Sequence, residues 1–512
     1  MSFVKENVNR QPIVDTVFAI VKKAKEDKEK IGEENVVDAT IGSLYNEQGS
    51  LVALDSVFSS LKSLDNKVLA AYAASFTGND DFKDRVYKWV LNGNSHLHHE
   101  VIATPGGTGA VAMTIQECLD AGQTVILPEI AWGSYNLMAQ MNNLSVKTYA
   151  LFEEEHFNLT SFKETCEQVM KEQDKLVIVI NDPCHNPTGY SLSSQEWKDV
   201  IAFLNECSKT HKVVLLNDIA YIDFAYGQKQ AKEYFSVFDD ISENMAVIVA
   251  FSLSKSMTSY GLRCGAAIVM AQTEDIVQEL KIVFEKDARA TWSNINNGAM
   301  AAFVDVMDHH LKEYDQERLQ YVALLKERSE LFVKEANEVG LKHYPYKEGF
   351  FVTLSMDNTT RDIYHEALMK NHIYTVKVNK GIRVAVCSLS LDKIKGLAKK
   401  MKDILEESWN VSDDLISEFG IQQSWMSRYP SELSGGELQR YSVLRSLNPK
   451  TKFLIADEMT TLLDAVTQVK ILDSVIKIIK KRKMGLLIVS HDLDLIDTIC
   501  DDKIYLKDIN NI

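Results

Sequence analysis

The chain has 512 residues, of which 46% are hydrophobic and 25% are charged, proportions typical of a globular protein with two or three domains. Its net charge of −16 argues against a broad nucleic-acid or anionic-membrane surface, because such surfaces need clustered lysine and arginine. The seven cysteines form no CxxC pair, which disfavours disulfides and metal sites and fits a reducing compartment. The apolar runs are too short to cross a bilayer. We therefore expect a cytoplasmic protein that acts on small molecules, with no nucleic-acid partner and no direct membrane insertion.

Four short segments in the first half of the chain are apolar at nearly every position. Such runs are typical of strands that are buried on both faces of a largely parallel sheet, with helices on either side. They predict an α/β domain. The segments are TVILP (residues 124–128), KLVIVI (175–180), KVVLLN (212–217) and AVIVAF (246–251).

After Met300 the pattern changes to long amphipathic helices. Two strand-like stretches, GFFVTLSM (349–356) and GIRVAVCSL (381–389), precede a helical pattern at LDKIKGLAKKMKDILEE (391–407). This combination predicts a second, smaller α+β domain.

Helical periodicity then lapses into polar residues at SWNVSDD. Beyond this stretch, the apolar runs KFLIAD (452–457) and GLLIVSHD (485–492) flank one helical pattern, which predicts a βαβ unit. We expect a smaller domain with an N-terminal arm at 1–50 and 301–407, and a larger domain at 51–300. A linker is expected at 408–414, followed by a separate segment at 415–512.

Polar residues follow the predicted strands of the larger domain. Asn186 lies in HNPTG, Asp218 and Tyr221 lie in NDIAY, and Lys255 ends SLSK. Because open α/β sheets bind ligands at the carboxyl ends of their strands, these side chains are expected to meet at one site. A single strand-end lysine usually reaches solvent, so the prediction rests on the set.

Six motifs occur in one order along the chain: PGGTGA (105–110), AWGSY (131–135), HNPTG (185–189), DIAY (218–221), SLSK (252–255) with Arg263, and GIRV (381–384). In this order the chain resembles the class I aminotransferases, the fold-type I pyridoxal-phosphate enzymes, over roughly residues 10–405. The resemblance implies the corresponding fold: a mostly parallel seven-stranded sheet in a large cofactor-binding domain, plus an α+β small domain. It also implies a homodimer with shared active sites.

The resemblance implies a role for each motif residue toward pyridoxal 5′-phosphate. Lys255 would bind the aldehyde carbon and shuttle a proton, and Asp218 would keep the pyridine nitrogen protonated, although a turn-forming aspartate is the alternative. Asn186 and Tyr221 would contact the phenolic oxygen, and Trp132 would stack on the ring unless it belongs to the core. The expected phosphate contacts are Gly107, Thr108, Ser252, Arg263 and, from the neighbouring subunit, Tyr72.

Substrate recognition is implied for three further positions. Arg383 matches the arginine that clamps the α-carboxylate, with a structural salt bridge as the alternative. Arg289 resembles the partner-subunit arginine that binds a distal carboxylate, and Gly42 would lie over the substrate, beside Trp132 and Asn186. These residues predict ping-pong transamination of aspartate or glutamate. Aromatic aminotransferases keep the same arginine, so an aromatic substrate stays open, as do a surface arginine without a role and a β-lyase or decarboxylase reaction.

LSGGELQR (433–440), FLIADEMTTLLDA (453–465) and LLIVSHDL (486–493) resemble the second half of an ABC-type ATPase. The resemblance assigns Asp457 and Glu458 to the Walker B strand, Asp464 to the D-loop and His491 to the switch position. No G-x-x-x-x-G-K-[ST] phosphate loop occurs in the chain, so independent ATP hydrolysis is not expected. The alternatives are a fusion remnant, a partner-docking module, or a transport ATPase subunit with an enzyme-like extension.

Overall fold

The computed structural model describes residues 3–4, 16–227, 230–409, 419–425, 428, 432–447, 451–459, 463, 465–482 and 484–504. Contacts divide the chain into two compact units, Met1–Ser408 and Trp409–Ile512. Within the described residues, none of the helices has the length and apolar character needed to cross a membrane. The predicted linker at 408–414 lies mostly outside the described residues.

The first unit alternates helices and strands. Its helices are α1 (Thr16–Ile31), α2 (Asp55–Ser63), α3 (Asn66–Ala70), α4 (Asp80–Leu91), α5 (Gly106–Cys118), α6 (Ser134–Met141), α7 (Leu159–Met170), α8 (Ser194–Cys207), α9 (Gln230–Glu233), α10 (Leu253–Ser256), α11 (Glu274–Thr291), α12 (Asn297–His309), α13 (Leu311–Glu338), α14 (Asn358–Lys370), α15 (Leu391–Ile394) and α16 (Leu397–Trp409). Single 3₁₀ segments lie at Glu33–Asn35, Ile222–Phe224, Tyr234–Asp240, Tyr260–Leu262 and Val386–Ser388.

The strands of this unit belong to one large sheet and several small ones. They are β1 (Val37–Asp38), β2 (His98–Thr104), β3 (Thr124–Pro128), β4 (Ser145–Tyr149), β5 (Phe152–Glu153), β6 (His156–Phe157), β7 (Lys175–Asn181), β8 (Lys212–Asp218), β9 (Met245–Ser252), β10 (Gly265–Ala271), β11 (Phe351–Ser355), β12 (Ile373–Tyr374), β13 (Val376–Val378) and β14 (Gly381–Ala385).

The large sheet has seven strands in the order β2-β10-β9-β8-β7-β3-β4. The pairs from β9 to β4 are parallel, whereas β10 is antiparallel to both of its neighbours. Every residue of β9 and β10 is buried, as expected for strands covered by helices on both faces. The prediction of a largely parallel α/β sheet is therefore confirmed, with one antiparallel strand that the sequence analysis did not identify.

The long parallel strands and the helices between them follow from local sequence. Helix α8 begins with a capping box, in which Ser193 and Glu196 each accept the other's backbone N–H. Its apolar face, including the fully buried Trp197, packs into the larger of the two cores flanking the sheet. Because β7, β8 and β9 are parallel neighbours, their carboxyl ends lie at one edge of the sheet.

The smaller part of the unit contains the antiparallel sheet β11-β14-β13 and the helices from α13 onward. Both predicted strands occur there, but GIRVAVCSL is extended only through Ala385 and then turns into a 3₁₀ segment. The helix predicted at 391–407 is divided into α15 and α16. Gly396 lies between them with φ 77°, a left-handed conformation that interrupts helical hydrogen bonding.

Residues 37–54 join the smaller part to the larger one. On one side, β1 pairs with β12, and the backbone N–H of Tyr45 donates to the Cys387 carbonyl. On the other side, the N–H of Leu44 donates to the Tyr260 hydroxyl at 2.9 Å, and that of Leu54 donates to Thr258 Oγ1 at 3.0 Å. This connecting segment therefore contacts the residues that immediately follow Lys255.

A buried arginine of α13 holds the same segment. Arg328 is fully buried and donates to Glu47 Oε1 from Nε at 3.0 Å, and to the Tyr45 and Cys387 carbonyls from Nη1 at 2.9 and 3.1 Å. A buried guanidinium that is fully paired is tolerated, but removing it leaves its acceptors without donors. Arg328 thus links α13 to the connecting segment through hydrogen bonds to Glu47 and Tyr45.

The second unit contains a parallel strand pair, β15 (Phe453–Asp457) with β16 (Gly485–Val489), and the helices α17 (Gly435–Ser446), α18 (Ala465–Arg482) and α19 (Leu493–Ile499), with a 3₁₀ segment at Gln423–Trp425. The predicted strand–helix–strand unit is confirmed. Leu454 and Ala456 are buried on one face of the pair, whereas Phe453, Ile455 and Leu487 are exposed on the other. Parallel strands are usually covered on both faces.

Replacing Arg328 with Met should lower the free energy of unfolding of the first unit by about 3 kcal/mol, because Glu47 and two carbonyls lose a charged donor. Urea denaturation followed by tryptophan fluorescence measures the change. Lys334→Met, an exposed position on the same helix, is the matched control. Equal stability of the two variants would contradict this account of the connecting segment.

Candidate active site

A cavity of about 120 Å³ opens at the carboxyl ends of β7, β8 and β9, beside the start of α5. Nine of the residues predicted from the sequence line it: Gly107, Thr108, Trp132, Asn186, Asp218, Tyr221, Ser252, Lys255 and Arg263. These residues are separated by up to 156 positions along the chain, so it is the fold that brings them together. The position agrees with the rule that open α/β sheets bind ligands at this edge.

Lys255 lies in the single turn α10 directly after β9. Its amine faces two aromatic rings, with Nζ 5.7 Å from the Tyr221 ring centre and 5.4 Å from that of Tyr260. Burial, followed by repulsion from Arg263, lowers the pKa of Lys255 to about 8. The side chain is therefore far closer to being a neutral nucleophile and base than an exposed lysine is.

Asp218 is the last residue of β8 and is buried at the cavity wall. Its Oδ2 accepts a hydrogen bond from the Tyr135 hydroxyl at 2.6 Å, and its Oδ1 accepts one from the Ala220 N–H at 3.1 Å. Burial raises the pKa of Asp218, while these two donors and the charge of Lys255 lower it. The site thus holds a carboxyl group whose charge depends on its partners.

The start of α5 forms an anion-binding corner of the cavity. Gly106 has φ 71°, which a side chain would disfavour, and a Cβ on Gly265 would lie 2.5 Å from the Phe251 carbonyl oxygen. Glycine at both positions lets the backbone of β10 approach the helix start, where free N–H groups attract anions. Arg263 adds a cation there, with Nη1 donating to Ser254 Oγ at 3.1 Å.

Arg383 projects from β14 and is buried behind Asn186. It donates to Asn186 Oδ1 at 3.3 Å and to the Thr40 carbonyl at 2.9 Å, and its guanidinium lies 4.3 Å from the centre of the Phe351 ring. Within the described part of the chain it forms no ion pair, and its Nε has no hydrogen-bond partner. A Cβ on Gly42 would lie 3.1 Å from the same Phe351 ring, so both predicted substrate contacts surround one aromatic side chain.

Four predicted residues do not line the cavity: Gly42, Arg383, Tyr72 and Arg289. The last two are also exposed to solvent: Tyr72 is 86% exposed, and Arg289 is exposed at the end of α11. The Arg289 guanidinium donates to Ser293 Oγ and lies 4.7 Å from the Phe76 ring centre. No ion pair to Arg289 occurs among the described residues. An aromatic ring and a hydroxyl thus hold this exposed cation.

The structure also brings in residues that the sequence analysis did not assign. Tyr135 hydrogen-bonds Asp218, Asn181 Oδ1 accepts from the Asn186 N–H at 2.6 Å, and Ser254 holds Arg263. Tyr135 and Ser254 lie inside the quoted motifs AWGSY and SLSK. Their position in the motifs was the available signal, but their hydrogen-bond partners depend on the tertiary structure.

These residues fit pyridoxal phosphate. The buried amine of Lys255 can bind the aldehyde, the glycine-lined start of α5 with Arg263 can accept the phosphate, and the Asp218 carboxyl can pair with the ring nitrogen. The unsatisfied, buried Nε of Arg383 is suited to a carboxylate ligand. The amine, the start of α5 and the carboxyl group lie around one cavity. One cofactor molecule can therefore contact all three, through its aldehyde, its phosphate and its ring nitrogen.

A second cavity of about 190 Å³ lies in the second unit, lined by Glu458, Gln468 and His491 among others. Nε2 of His491 lies 3.2 Å from Oε1 of Glu458, and Glu458 has φ 44°. Ser434 caps α17 and accepts from the Glu437 N–H at 3.3 Å. Asp464, predicted as the D-loop residue, lies outside the described residues.

Comparison with known proteins shows relatives for both units. For the second unit, the metal-staphylopine import system ATP-binding protein CntF of Staphylococcus aureus is 33% identical over 93 residues. This match covers 18% of the chain and 37% of CntF.

For the first unit, aspartate aminotransferase of Haemophilus influenzae is 22% identical over 73% of the chain and 94% of its own length. The aromatic-amino-acid aminotransferase of Pseudomonas aeruginosa is 26% identical over 56% of the chain and 71% of its own length. A solved aminotransferase structure from Anaerococcus prevotii superposes with a TM-score of 0.76 and 34% identity, covering 79% of the chain and 99% of that protein.

The family model described as aminotransferase class I and II matches residues 34–401, which include every predicted site residue of the first unit. The chain therefore belongs to the class I and II aminotransferase family and is a pyridoxal-phosphate-dependent aminotransferase of the α/β fold type I.

Proposed function

We propose that the chain transfers an amino group between an acidic L-amino acid, aspartate or glutamate, and a 2-oxo acid, with Lys255 as the cofactor-binding and proton-transferring residue. The observation that carries this proposal is the buried amine of Lys255, with a pKa of about 8, in a cavity that also holds Asp218 and Arg263. A lysine of ordinary pKa would be protonated at neutral pH and would neither attack an aldehyde nor accept a proton.

The chain's own groups would divide the work as follows. When bound, the cofactor supplies an aldehyde carbon that condenses with amines and a ring that accepts electrons from the substrate α-carbon. Lys255 Nζ would remove the α-proton as a base and return a proton as an acid. Asp218 would hold a proton at the ring nitrogen, and Asn186 and Tyr221 would donate to the phenolic oxygen. Trp132 would cover one ring face.

Phosphate binding is assigned to the start of α5 and its surroundings. Gly107 and Thr108 offer backbone N–H groups at the helix start, while Ser252 adds a hydroxyl and Arg263 a charge. Ser252 caps α10 by accepting from the Ser254 N–H at 3.3 Å, so its side chain is held at the cavity edge. The phosphate would thereby position the aldehyde near Lys255.

The α-carboxylate of the substrate is assigned to Arg383. Its guanidinium lies 4.3 Å from the centre of the Phe351 ring and donates to Asn186, and it carries a charge that the described residues do not neutralise. Binding a carboxylate would satisfy this buried cation, whose pKa is lowered by desolvation. Gly42, which also lies against Phe351, would cover the substrate with its backbone.

The homodimer is a part of this proposal. Tyr72 and Arg289 are exposed in the single chain, as residues that complete a neighbouring subunit's site must be. Arg289, which has no ionic partner in the described structure, would bind a distal carboxylate in the partner's cavity. This favours aspartate, glutamate and 2-oxoglutarate; an aromatic amino acid is the second candidate, because the aromatic-amino-acid aminotransferase is also a relative.

For residues 415–512 we propose a partner-docking role rather than ATP hydrolysis. The parallel pair β15–β16 leaves an apolar face exposed, and the similarity to CntF covers about a third of that protein. The pairing of His491 with Glu458 resembles that of a nucleotide site, but the chain contains no phosphate loop to hold a nucleotide. We also propose a cytoplasmic location.

The rate at which the cofactor-free protein captures pyridoxal phosphate should rise with pH and level off above about pH 8, because only the neutral amine of Lys255 attacks the aldehyde. Below this midpoint the rate should fall about tenfold per pH unit. Stopped-flow absorbance measures it. Lys255→Ala should abolish capture and turnover, whereas Lys147→Ala, a lysine far from the cavity in β4, should change neither. A midpoint near the ordinary lysine value would contradict the proposed base.

Replacing Arg289 with Leu should lower kcat/KM for aspartate and glutamate about 100-fold, because a desolvated charge pair to the distal carboxylate is lost. Turnover of phenylalanine should change by no more than about threefold. Lys286→Leu removes a cation from the same helix and should leave both substrates unaffected. If Arg289→Leu reacts with aspartate at the unmodified rate, the preference for acidic substrates is wrong.

The purified chain should show no ATP hydrolysis above that of the Glu458→Gln variant, since no phosphate loop presents the nucleotide to Glu458. Phosphate release in the presence of Mg²⁺ is the measurement, with the transaminase rate recorded in parallel as proof of folding. Hydrolysis that depends on Glu458 would support the ATPase alternative and overturn the docking role.

A further inference from the structure

Tyr135 is a fully buried residue in the first turn of α6, next to the candidate active site. Its hydroxyl donates to Asp218 Oδ2 at 2.6 Å, a short hydrogen bond between a phenol and a carboxylate. Its ring packs edge-on against Trp132, with the two ring centres 5.4 Å apart and the planes at 85°. Tyr135 therefore contacts two residues that line the cavity, and it lines the cavity itself.

The Asp218 carboxylate has few other sources of stabilisation. Its Oδ1 accepts from the Ala220 N–H, two positions further along the same loop, whereas the donor to Oδ2 among the described residues is Tyr135. The ionisable groups facing Asp218 are Tyr135 from α6, Lys255 from α10 and Tyr221 from its own loop. Burial raises the pKa of Asp218, and the hydrogen bond from the Tyr135 hydroxyl does most to lower it.

The two donors also determine the direction of the carboxyl group. A carboxylate held at one oxygen can rotate about its Cβ–Cγ bond, whereas one held at both oxygens has a defined plane. Because Ala220 belongs to the same loop as Asp218, only the bond from Tyr135 ties this plane to another element of the fold. The packing of Tyr135 against Trp132 in turn holds the Tyr135 ring in place.

We propose that Tyr135 is a positioning residue for transamination, which keeps the Asp218 carboxylate charged and directed at the pyridine nitrogen of the cofactor. The inference rests on the proposed role of Asp218. Tyr135 itself stays a neutral donor, because burial and the neighbouring carboxylate raise its pKa well above the ordinary tyrosine value. The proton of the phenol therefore stays on Tyr135, and the proton at the cofactor nitrogen is stabilised through Asp218.

A double-mutant cycle on cofactor affinity tests this role. Tyr135→Phe removes the hydroxyl and keeps the ring against Trp132, and it should raise the dissociation constant of pyridoxal phosphate about 10- to 100-fold. In an Asp218→Asn background the same change should cost no more than about threefold, because no carboxylate is left to hold. Fluorescence quenching on adding cofactor to the cofactor-free protein measures all four constants. Equal losses in both backgrounds would overturn the proposal.

Tyr149→Phe is the matched control, since Tyr149 is also buried in the core but its hydroxyl lies 3.5 Å from the Val179 carbonyl and away from Asp218. It should not change cofactor affinity, and its cofactor-free form should melt within a few degrees of that of Tyr135→Phe. If Asp218→Asn alone leaves affinity unchanged, the proposed role of Asp218 fails. If Asp218→Asn matters and Tyr135→Phe does not, only the role of Tyr135 fails.

The pH dependence of cofactor retention gives a second readout that a purely structural tyrosine would not move. On acidification, the cofactor should leave when Asp218 takes up a proton, and without the Tyr135 donor this should occur at a higher pH, shifted by about one unit. The absorbance of the holoprotein after rapid desalting at each pH measures retention. In the Asp218→Asn background the same change at Tyr135 should leave the profile in place, so the difference reports Asp218. Coincident profiles would overturn the proposal.

Discussion

The site depends on one constraint: ionisable side chains are collected at a buried edge of the sheet, where water cannot stabilise their charges. Burial lowers the pKa of Lys255 and raises that of Asp218, so each group is moved toward its neutral form. The surrounding donors and charges then decide how far each shift goes. The first unit provides this edge because its parallel strands end together and because glycine allows the close backbone approaches there.

Much of this arrangement could be predicted from the sequence, because its determinants are local. Four apolar runs become the strands β3, β7, β8 and β9 within one residue of the predicted bounds. Polar residues that directly follow parallel strands must lie at the same edge, so Asp218 and Lys255 meet in the cavity as expected. The period of a strand is a property of a short segment, which a sequence shows directly.

The features that escaped prediction depend on contacts between distant segments. The antiparallel strand β10 has the same apolar composition as its parallel neighbours, so composition does not reveal its direction. Tyr135 and Asp218 are separated by 83 positions, and their hydrogen bond follows from how α6 packs beside the sheet. Arg328 reads as an ordinary arginine of a long amphipathic helix, yet it is fully buried. The predicted helix at 391–407 was divided because one glycine adopts a left-handed backbone.

The connecting segment 37–54 has a consequence for how the enzyme would respond to substrate. It contains Gly42, pairs with the smaller part through β12, and hydrogen-bonds Thr258 and Tyr260, which follow Lys255 in sequence. Arg383 belongs to that same smaller part. A movement of the smaller part that shifted Arg383 would therefore also pull on the backbone that follows Lys255, because the connecting segment is hydrogen-bonded on both sides.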